Sequence, residues 1–577
     1  MKVLLVAINA KYIHSNPAIY SLAAYAKAYK SHIRLAEYTI NHTADEVLGG
    51  IYKEKADVVI FSCYIWNISM VCDVADGLKK AAPDIGIWLG GPEVSFESDS
   101  FLKDHAFADG IIRGEGEQTF LKLMSFWQSG QCGPAYIDGI TYRQGQEIIK
   151  NPPAGLMNLD ELPFIYEDMS LFENKIIYYE SSRGCPYACS YCLSSVDKTV
   201  RFKSIELVKK ELQCFLDASV KQVKFVDRTF NCRHSHTKEV WRYIRDHDNG
   251  VTNFHFEITA DLIDDEEIEI LASMRPGLVQ LEIGVQSTCP RTIEEIRRKV
   301  DFEKLSYVVC RIHEGGNVHQ HLDLIAGLPY ENLERFKQSF DDVYGLKPQQ
   351  LQLGFLKVLK GSFMHEKQQD YGLVCKKGAP YEVISTKWMT FDDILYLKGV
   401  ENVLEIFYNS HQFERTIQYL EHLFETPFAL YGALSACFEK HGWDKVKSQR
   451  TVRYEQLLSF GRLWGADEAL MKELLTYDLY AREHLKSRPL WLKPLDDDKA
   501  DISGFYSEKE NIEKYMPAHI GENYRTLRHF THLEPFDFDI AASAKEGKAV
   551  RSAGYMLFDY RYKDPLTGEA FVTWIGK

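Results

Sequence analysis

The 577-residue chain lacks any run of 18 apolar residues, any low-complexity tract and any excess of positive charge. A membrane-spanning helix needs roughly 18 to 20 consecutive apolar residues, so the sequence predicts no such span. The formal net charge of −14 disfavours an extended basic surface for nucleic acid. A local basic cleft stays compatible with that charge, because net charge constrains only the average field.

The amino-terminal segment also lacks the features of a secretory signal. Its short apolar run ends at Asn9, and no small-residue cleavage context follows. A buried first strand therefore explains this run better than a signal peptide does. Twelve cysteines in a large chain without such a signal favour a reducing, cytoplasmic setting over a disulfide framework.

The first part of the chain alternates short apolar runs with helical patterns, as an α/β fold does. The apolar runs cover 3–9, 32–38, 57–64, 85–91 and 108–114, and helical patterns lie between them at 19–29 and 71–82. This spacing predicts a doubly wound parallel sheet with helices on both faces, over residues 1–132. A hairpin around Gln-Gly-Gln and the stretch NPPAGLMNLDELPF predict a connector over 133–173.

A second alternating series predicts a partial (β/α)6 TIM-like barrel over residues 174–384. Its six apolar runs lie at 175–182, 222–230, 254–262, 278–287, 318–329 and 351–359, with helical segments such as 204–218 and 292–300 between them. From 385 to 577 the periodicity predicts a mainly helical carboxyl-terminal domain that we expect to cap the open barrel. The chain closes with a predicted β-hairpin over Pro-Leu-Thr-Gly.

Cys185, Cys189 and Cys192 follow the first predicted barrel strand with the spacing C-x3-C-x2-C. Clustered cysteines in a reducing compartment usually bind metal. A structural zinc takes four ligands, and the next cysteine and histidine are distant, at Cys214 and His234. A four-iron cluster held by three thiolates leaves one iron open for chemistry. The alternatives are zinc with a remote fourth ligand and incidental buried cysteines.

These three cysteines, with Tyr191 between the last two, resemble the radical S-adenosylmethionine (SAM) superfamily. The resemblance implies a [4Fe–4S] cluster on Cys185, Cys189 and Cys192 whose open iron chelates SAM. An electron from the cluster would cleave SAM to a 5′-deoxyadenosyl radical, which abstracts a substrate hydrogen. The resemblance also implies an electron donor such as flavodoxin or ferredoxin.

Further residues take SAM-binding roles by the same resemblance. Tyr191 would pack by its ring and backbone near the adenine. The backbone groups of Asp227 in FVDRTF would meet the SAM amino group, although the commoner Gly-Gly-Glu pattern is missing there. Glu257 in FHFEI is a candidate polar contact to SAM; the alternative is a structural ion pair within the barrel.

Three more candidates lie at and after the fourth barrel strand. Gln286 and Ser287 in IGVQS would lie beside the SAM ribose. Arg298 would pair with the SAM carboxylate, a task that suits the two-pronged guanidinium. The alternative for Arg298 is a solvated charge on a helix face.

The amino-terminal sheet raises the question of a second ligand, which should lie across the carboxyl ends of its strands. Glycines there would let a bulky ligand approach the backbone, and helix N-termini would offer N–H donors to a phosphate. No G-x-G-x-x-G follows the first strand, so a dinucleotide fingerprint is absent. The candidate residues at these ends are Asn9, Tyr12, Cys63, Tyr64, Trp66, Asn67, Gly90, Gly91, Pro92, Glu93, Gly114, Glu115 and Gly116.

The stretches LGGPEVS and RGEGEQTF resemble the cobalamin-binding domain of cobalamin-dependent radical SAM proteins, and the hairpin with the NLDELPF connector also resembles that family. With the barrel, the resemblance covers about residues 1–360. It implies bound cobalamin with the loop 63–67 beneath the corrin. No Asp-x-His-x-x-Gly loop is present, so cobalt would lack a protein histidine. The alternative is a vestigial domain that serves only as a structural partner. The region after 385 resembles an uncharacterised domain found on one branch of these proteins.

The leading prediction is therefore a cobalamin-dependent radical SAM enzyme that transfers a methyl group to an unactivated carbon of a small molecule or modified nucleoside. A radical rearrangement, cyclisation or oxidation with the same cofactors is the second possibility. Modification of a tRNA base is a third, disfavoured by the acidic balance, and a non-catalytic cobalamin or iron–sulfur sensor is a fourth. No membrane partner is expected.

Overall fold

The structure is a computed structural model that describes residues 1–577 except 131–132, 197, 447, 486, 493, 496–497 and 577. Two compact units are distinguished: Met1–Val318 with Ile325–Asn332 and Gly354–Thr390, and His319–Leu324 with Leu333–Leu353 and Phe391–Lys577. Within the described residues, no helix has both the length and the apolar character that a membrane crossing requires.

The first sheet has seven strands in the order β2-β1-β3-β4-β5-β6-β7. They are β1 Val3–Asn9, β2 Ile33–Thr39, β3 Val58–Ser62, β4 Gly86–Gly90, β5 Gly110–Ile112, β6 Ile140–Gln144 and β7 Glu147–Lys150. The first five are parallel, and the β6–β7 hairpin adds two antiparallel strands. Because β2 and β3 flank β1, the strand order reverses there, which is where such sheets place ligands.

Helices cover both faces of this sheet, which confirms the doubly wound prediction. They are α1 Pro17–Tyr25, α2 Ala44–Lys53, α3 Ile68–Ala81, α4 Pro92–Ser95, α5 Ser98–Asp104 and α6 Glu117–Ser129. Alternate residues of β1 enter two separate cores: Leu4 packs in the core that holds Val71, and Leu5 in the core that holds Phe120. A strand buried on both faces reads as one continuous apolar run, which is why β1 was predictable.

The second sheet has six strands in simple chain order, as predicted for a partial barrel. Its strands are β8 Ile177–Tyr179, β11 Gln222–Phe225, β12 Asn253–Ile258, β13 Val279–Gln286, β14 His319–Ala326 and β15 Gln350–Phe355, and the short pair β9 Ser182–Arg183 and β10 Arg201–Phe202 lies beside them in sequence. The helices of this part are α7 Ile205–Asp217, α8 His234–Asp246, α9 Asp265–Ala272, α10 Pro290–Glu295, α11 Phe302–Gly315 and α12 Leu333–Tyr344.

One helix of the barrel is shorter than its sequence pattern predicts. The helix expected over 292–300 ends at Glu295. Arg297 adopts a left-handed conformation with φ of 56°, and the N–H of Arg298 donates to the carbonyl of Ile293 at 3.1 Å. This turn closes the helix, so Arg298 lies outside it.

The remaining helices and strands follow the barrel. They are α13 Phe363–Glu366, β16 Val374–Cys375, β17 Val383–Ser385, α14 Phe391–Phe407, α15 Glu414–Glu421, α16 Pro427–His441, α17 Arg450–Leu463, α18 Glu468–Arg482, α19 Lys499–Ser507, α20 Lys509–Tyr515, α21 Tyr524–Phe530, β18 Thr531–Phe538, α22 Ile540–Glu546, β19 Arg551–Lys563 and β20 Ala570–Gly576. Short 3-10 helices occupy Lys27–His32, Pro134–Tyr136, Leu159–Glu161, Met169–Phe172, Leu193–Ser195, Phe230–Cys232, Ala260–Leu262, Trp443–Lys445 and Pro517–His519.

The carboxyl-terminal region is mainly helical, with an antiparallel three-stranded sheet in the order β18-β19-β20. The predicted closing hairpin is present as β19 and β20. The sequence did not predict β18, which contains Pro535. Proline removes a backbone donor and is tolerated at a sheet edge, the position that β18 occupies.

Candidate functional site

The three-cysteine loop is fastened on two sides by backbone hydrogen bonds. The N–H of Ser190 donates to Ile296 in the turn after α10 at 2.9 Å, and Met364 of α13 donates to the carbonyl of Ser190 at 2.8 Å. Gly184 precedes Cys185 with φ of 92°, and a side chain there would clash with the carbonyl of Thr199. The loop conformation therefore depends on glycine at 184.

Arg298 lies beside the cysteines instead of on a solvated helix face. Its Nη1 is 3.8 Å from the Sγ of Cys189, and its Nη2 donates to the carbonyl of Gly284 on β13. Burial raises the pKa of the Cys189 thiol, and the guanidinium opposes that shift. Burial likewise raises the pKa of Tyr191, again with Arg298 opposing. A cation held at this point stabilises thiolate and any neighbouring carboxylate.

The spacing of the thiols does not suit a single metal ion. Among the described residues, three or more candidate ligand atoms lie within 4.8 Å of one another only at His234, Asp264 and Glu267. Thiolates around one tetrahedral zinc would be about 3.8 Å apart, since each Zn–S bond is about 2.3 Å. At least one pair of the three Sγ atoms is therefore more than 4.8 Å apart, which is too wide for a single tetrahedral zinc.

The His234 group itself has a structural explanation. Asp264 and Glu267 form the capping box at the start of α9, and Asp264 also pairs with Lys238 at 2.7 Å. These partners account for both carboxylates without a metal.

Asp227, at the end of β11, ties two barrel segments together. Its buried carboxylate accepts hydrogen bonds from the N–H and hydroxyl of Ser181, at 3.0 and 2.6 Å, and from the hydroxyl of Ser182 at 2.5 Å. Burial raises its pKa to about 6, and these hydrogen bonds oppose the rise. The side chain is thus occupied within the protein, and the SAM role predicted for this position concerns its backbone groups.

Several buried polar atoms near the loop make no hydrogen bond within the described residues. They are the hydroxyl of Ser190, the Oε1 of Gln286 and the Nε of Arg298. Gln286 ends β13 with φ of 72°, and a side chain at Gly284 would clash with the Nε2 of Gln286 and lie 3.4 Å from the Nη2 of Arg298. Because unsatisfied buried groups cost roughly 1–3 kcal/mol each, this arrangement fits a polar ligand such as SAM.

The other two predicted SAM contacts are Ser287, which directly follows β13, and Glu257 on β12. The hydroxyl of Ser287 donates to Glu331 at 2.7 Å and accepts from the N–H of Cys289 at 3.0 Å, so it shapes the strand end. Glu257 is half-buried on β12, in register with Glu282 on β13.

At the amino-terminal sheet, the loop after β3 is held rigidly. Asn67 donates to the carbonyls of Ile8 and Ser62 at 3.0 and 2.9 Å and accepts from the N–H of Tyr64 at 2.8 Å. Cys63 is fully buried, and Gly91 approaches it with φ of 113°, where a side chain would clash with the Cys63 carbonyl. The predicted cobalamin edge is therefore preorganised by the hydrogen bonds of the Asn67 side chain to the main chain and by the close approach of Gly91 to Cys63.

The same edge exposes aromatic surface. The rings of Tyr64 and Trp66 stack with centroids 4.4 Å apart and planes 7° from parallel. Trp66 is 44% exposed and Tyr12 is 71% exposed. Large exposed rings beside the switch point of the sheet fit a broad planar ligand such as the corrin of cobalamin.

Other residues predicted at this edge have partners within the protein or shape its backbone. Asn9 donates to Glu37 at 2.7 Å, and Glu93 accepts from the hydroxyl of Tyr381 at 2.8 Å. Burial raises the pKa of Glu93. Gly90 ends β4 and Pro92 begins α4.

Charged hydrogen bonds connect the stretch RGEGEQTF of this sheet to residues on either side of the cysteine loop. The sequence did not predict this connection. Glu117 accepts from Arg183 at 2.6 Å, and Glu115 accepts from Arg201 at 3.2 Å. Both arginines flank the three cysteines in sequence. Gly114 has φ of 70° and Gly116 caps α6, so glycines space the two carboxylates. No local sequence signal announces such pairs, because their members are more than 60 residues apart.

Comparison with protein families matches three successive regions of the chain. Residues 3–124 match the family described as B12 binding domain, and residues 179–343 match the radical SAM superfamily. Residues 369–558 match a protein family of unknown function, DUF4080. These matches confirm the predicted resemblance to cobalamin-dependent radical SAM proteins with an uncharacterised carboxyl-terminal domain.

Curated relatives align with about half of the chain at low identity. The chain is 25% identical over 312 residues to the cobalamin-dependent radical SAM methyltransferase TokK of Streptomyces tokunonensis, covering 49% of this chain and 44% of TokK. It is 26% identical over 289 residues to hopanoid C-3 methylase of Methylococcus capsulatus, covering 47% and 53%. It is also 25% identical over 343 residues to an anaerobic magnesium-protoporphyrin IX monomethyl ester cyclase of Rubrivivax gelatinosus, covering 55% and 60%. The chain thus spans about half the length of these relatives.

Solved structures share the fold. The cobalamin-dependent SAM radical enzyme OxsB with aqua-cobalamin bound aligns with a TM-score of 0.59 at 14% identity, covering 84% of this chain and 81% of OxsB. TsrM from Kitasatospora setae with cobalamin and [4Fe-4S] cluster bound aligns with a TM-score of 0.53 at 16% identity, covering 66% and 76%.

Proposed function

We propose that this chain, which joins a B12-binding domain to a radical SAM domain, is an enzyme that methylates an unactivated carbon of a small-molecule substrate. The observation that supports it most is the direct link between the two predicted cofactor edges. Glu115 and Glu117 after β5 bind Arg201 and Arg183 on either side of the cysteine loop. The domain division at 132, 173 and 384 is part of the proposal.

When bound, the cluster with SAM would supply the radical that removes a substrate hydrogen, and cobalamin would supply the methyl group. The chain's part is to hold and orient these groups. Cys185, Cys189 and Cys192 would provide three thiolates and leave one iron open. Arg298 would bind the SAM carboxylate with the guanidinium that already lies next to Cys189.

The remaining residues act by positioning and by excluding water. The unpaired buried Oε1 of Gln286 and hydroxyl of Ser190 would form hydrogen bonds with SAM. Asp227 keeps the ends of β8 and β11 together through its hydrogen bonds to Ser181 and Ser182. Trp66, held by its Nε1 bond to the Ile8 carbonyl at 3.2 Å, would support one face of the corrin. A small redox protein such as flavodoxin or ferredoxin would deliver the electron.

A second candidate function keeps both cofactors but forms a ring instead of adding a methyl group. It is favoured by the likeness to the Rubrivivax gelatinosus protein, whose name describes a cyclase. The two candidates share every binding residue above and differ in the fate of the substrate radical.

The test is anaerobic reconstitution of the full chain with iron, sulfide, cobalamin, SAM and a reductant. We expect 5′-deoxyadenosine by mass spectrometry, and its loss in Cys189→Ala but not in the exposed-cysteine control Cys214→Ala. With trideuteromethyl SAM and a cell metabolite extract, methyl transfer adds a mass of 17 to one metabolite, whereas cyclisation removes hydrogens. A fully clustered protein that yields no 5′-deoxyadenosine contradicts the proposal.

A further inference from the structure

The carboxyl-terminal unit carries two arginines and a histidine on one side of α21, Tyr524–Phe530. Arg525, Arg528 and His529 are spaced i, i+3 and i+4, so they share one side of the helix, and all three are exposed. Within the described residues, none of the three pairs with a carboxylate. Other arginines of this unit do: Arg462 binds Glu468 through two nitrogens, and Arg488 binds Glu534.

These residues line a cavity whose walls offer hydrogen-bond donors throughout. Its volume is about 740 Å³, and it is lined by His484, Tyr524, Arg525, Thr526, Arg528 and His529. None of the lining side chains is a carboxylate, and all of them carry an N–H or O–H group. The Thr526 hydroxyl already donates to the Oδ1 of Asn523 at 3.2 Å. The Nη1 of Arg528 donates to the hydroxyl of Tyr524 at 3.2 Å, which holds one guanidinium in place.

The local field at the cavity is positive. The pKa of His484 is lowered by burial first, and then by the positive charges of His532, His529 and Arg528. On the other side, His532 and Arg488 are both neutralised by Glu534. Arg525 and Arg528 at the cavity therefore have no carboxylate partner within the described residues, whereas Arg488 and His532 share Glu534.

This arrangement is unfavourable unless an anion joins it. The like charges of Arg525 and Arg528, three residues apart on the helix, repel each other. This chain has 82 acidic residues, yet none within the described residues pairs with either arginine. The cavity is an open surface depression, and its volume of about 740 Å³ leaves room for a small anion beside the exposed arginines. The net charge of −14 repels a long polyanion but not a small one.

We propose that this cavity binds a phosphorylated small molecule through its phosphate oxygens. Arg525 and Arg528 provide charged two-pronged donors, and the hydroxyl of Tyr524 adds a neutral one. The site lies within the region 369–558 matched to a family of unknown function, and it does not depend on the proposed methyl transfer.

The test is isothermal titration of the full purified chain with pyrophosphate at low ionic strength. We expect saturable binding, weakened roughly tenfold by Arg525→Gln and by Arg528→Gln, because each variant loses a hydrogen bond between charged groups. Arg525→Lys, which keeps the charge, should lose less. The matched control is Arg462→Gln, an exposed arginine engaged by Glu468, and it should bind as the wild type does.

Thermal midpoints of each variant separate lost binding from lost structure, because Arg525 contacts no carboxylate whose release would unfold the chain. The proposal is overturned if the wild-type chain shows no saturable binding of pyrophosphate. It is also overturned if Arg525→Gln and Arg528→Gln bind pyrophosphate as tightly as Arg462→Gln does. A parallel titration with a 20-nucleotide RNA tests whether the cavity binds nucleic acid instead. Loss of RNA binding in the variants with pyrophosphate binding unchanged would also overturn it, in favour of a nucleic-acid site.

Discussion

At the scale of single residues, Arg298 is the side chain whose position most departs from its sequence pattern. The pattern EEIRRKV predicts a continuing helix, yet the left-handed Arg297 ends it and sends Arg298 to Cys189 and the Gly284 carbonyl. Arg297 instead stacks over the ring of Phe363 at 3.4 Å. Two adjacent arginines therefore have different tasks, which makes them a matched pair for experiment.

Replacing Arg298 with Lys should raise the KM for SAM about 10- to 100-fold while leaving the iron content unchanged. Lysine keeps the positive charge but loses the planar fork that binds a carboxylate through two nitrogens, at a cost of about 1.5–3 kcal/mol. The measurement is the rate of 5′-deoxyadenosine formation against SAM concentration, with iron analysis of each sample. Arg297→Lys is the control and should keep the wild-type KM. An unchanged KM in Arg298→Lys would show that this guanidinium does not bind SAM.

Replacing Trp66 with Ala should lower the amount of cobalamin that stays bound through purification. Trp66 stacks on Tyr64 and is 44% exposed at the sheet edge, so its removal deletes apolar surface offered to the corrin without opening a core. The measurement is the ratio of cobalamin absorbance to protein after gel filtration. Trp574→Ala, at a 38% exposed position of β20, removes the same side chain elsewhere and should retain the wild-type ratio. Equal retention by both variants contradicts the placement of cobalamin at this edge.

At the scale of elements, strands buried on both faces were the predictable ones. The predicted bounds of Val3–Asn9 are confirmed, because the six side chains from Val3 to Ile8 alternate between two cores. The three cysteines were readable because their spacing is local. The Arg183–Glu117 pair and the contact between Arg298 and Gly284 could not be predicted, because their members are distant in sequence. Strand β18 could not be predicted because Pro535 interrupts its strand pattern.

Gly91 gives an element-scale prediction, because the β4–α4 turn needs glycine for two reasons. Its φ of 113° is strained for any side chain, and a Cβ would clash with the Cys63 carbonyl. Gly91→Ala should therefore cost more than the roughly 1–3 kcal/mol of backbone strain alone. Gly114→Ala is the matched control, since φ there is 70° and no atom lies within 4 Å of its Cβ. Thermal midpoints of the two variants test this, and an equal loss in both would show that the Cys63 contact is unimportant.

At the scale of the whole molecule, stability should fall as pH rises through neutrality, because each compact unit buries an aspartate that prefers its proton. Burial raises the pKa of Asp227 in the first unit to about 6 and that of Asp478 in the second to about 7. The Asp478 carboxylate accepts from the N–H groups of Arg415 and Thr416 at 3.0 and 2.9 Å and from the Thr416 hydroxyl at 2.6 Å. These bonds oppose the shift without cancelling it.

The sign follows from proton binding: above pH 4 the folded chain holds a proton at Asp478 that the unfolded chain has released. Stability therefore decreases as pH rises toward and through 7, and the loss between pH 5.5 and 8 should be about 2 kcal/mol from Asp478. Asp478→Asn, which cannot ionise, should flatten this dependence in the thermal midpoint of the carboxyl-terminal unit. Asp444→Asn makes the same change at an exposed position and should leave the slope as in the wild type. If Asp478→Asn keeps the wild-type slope, Asp478 is ionised throughout this range and the three hydrogen bonds outweigh its burial.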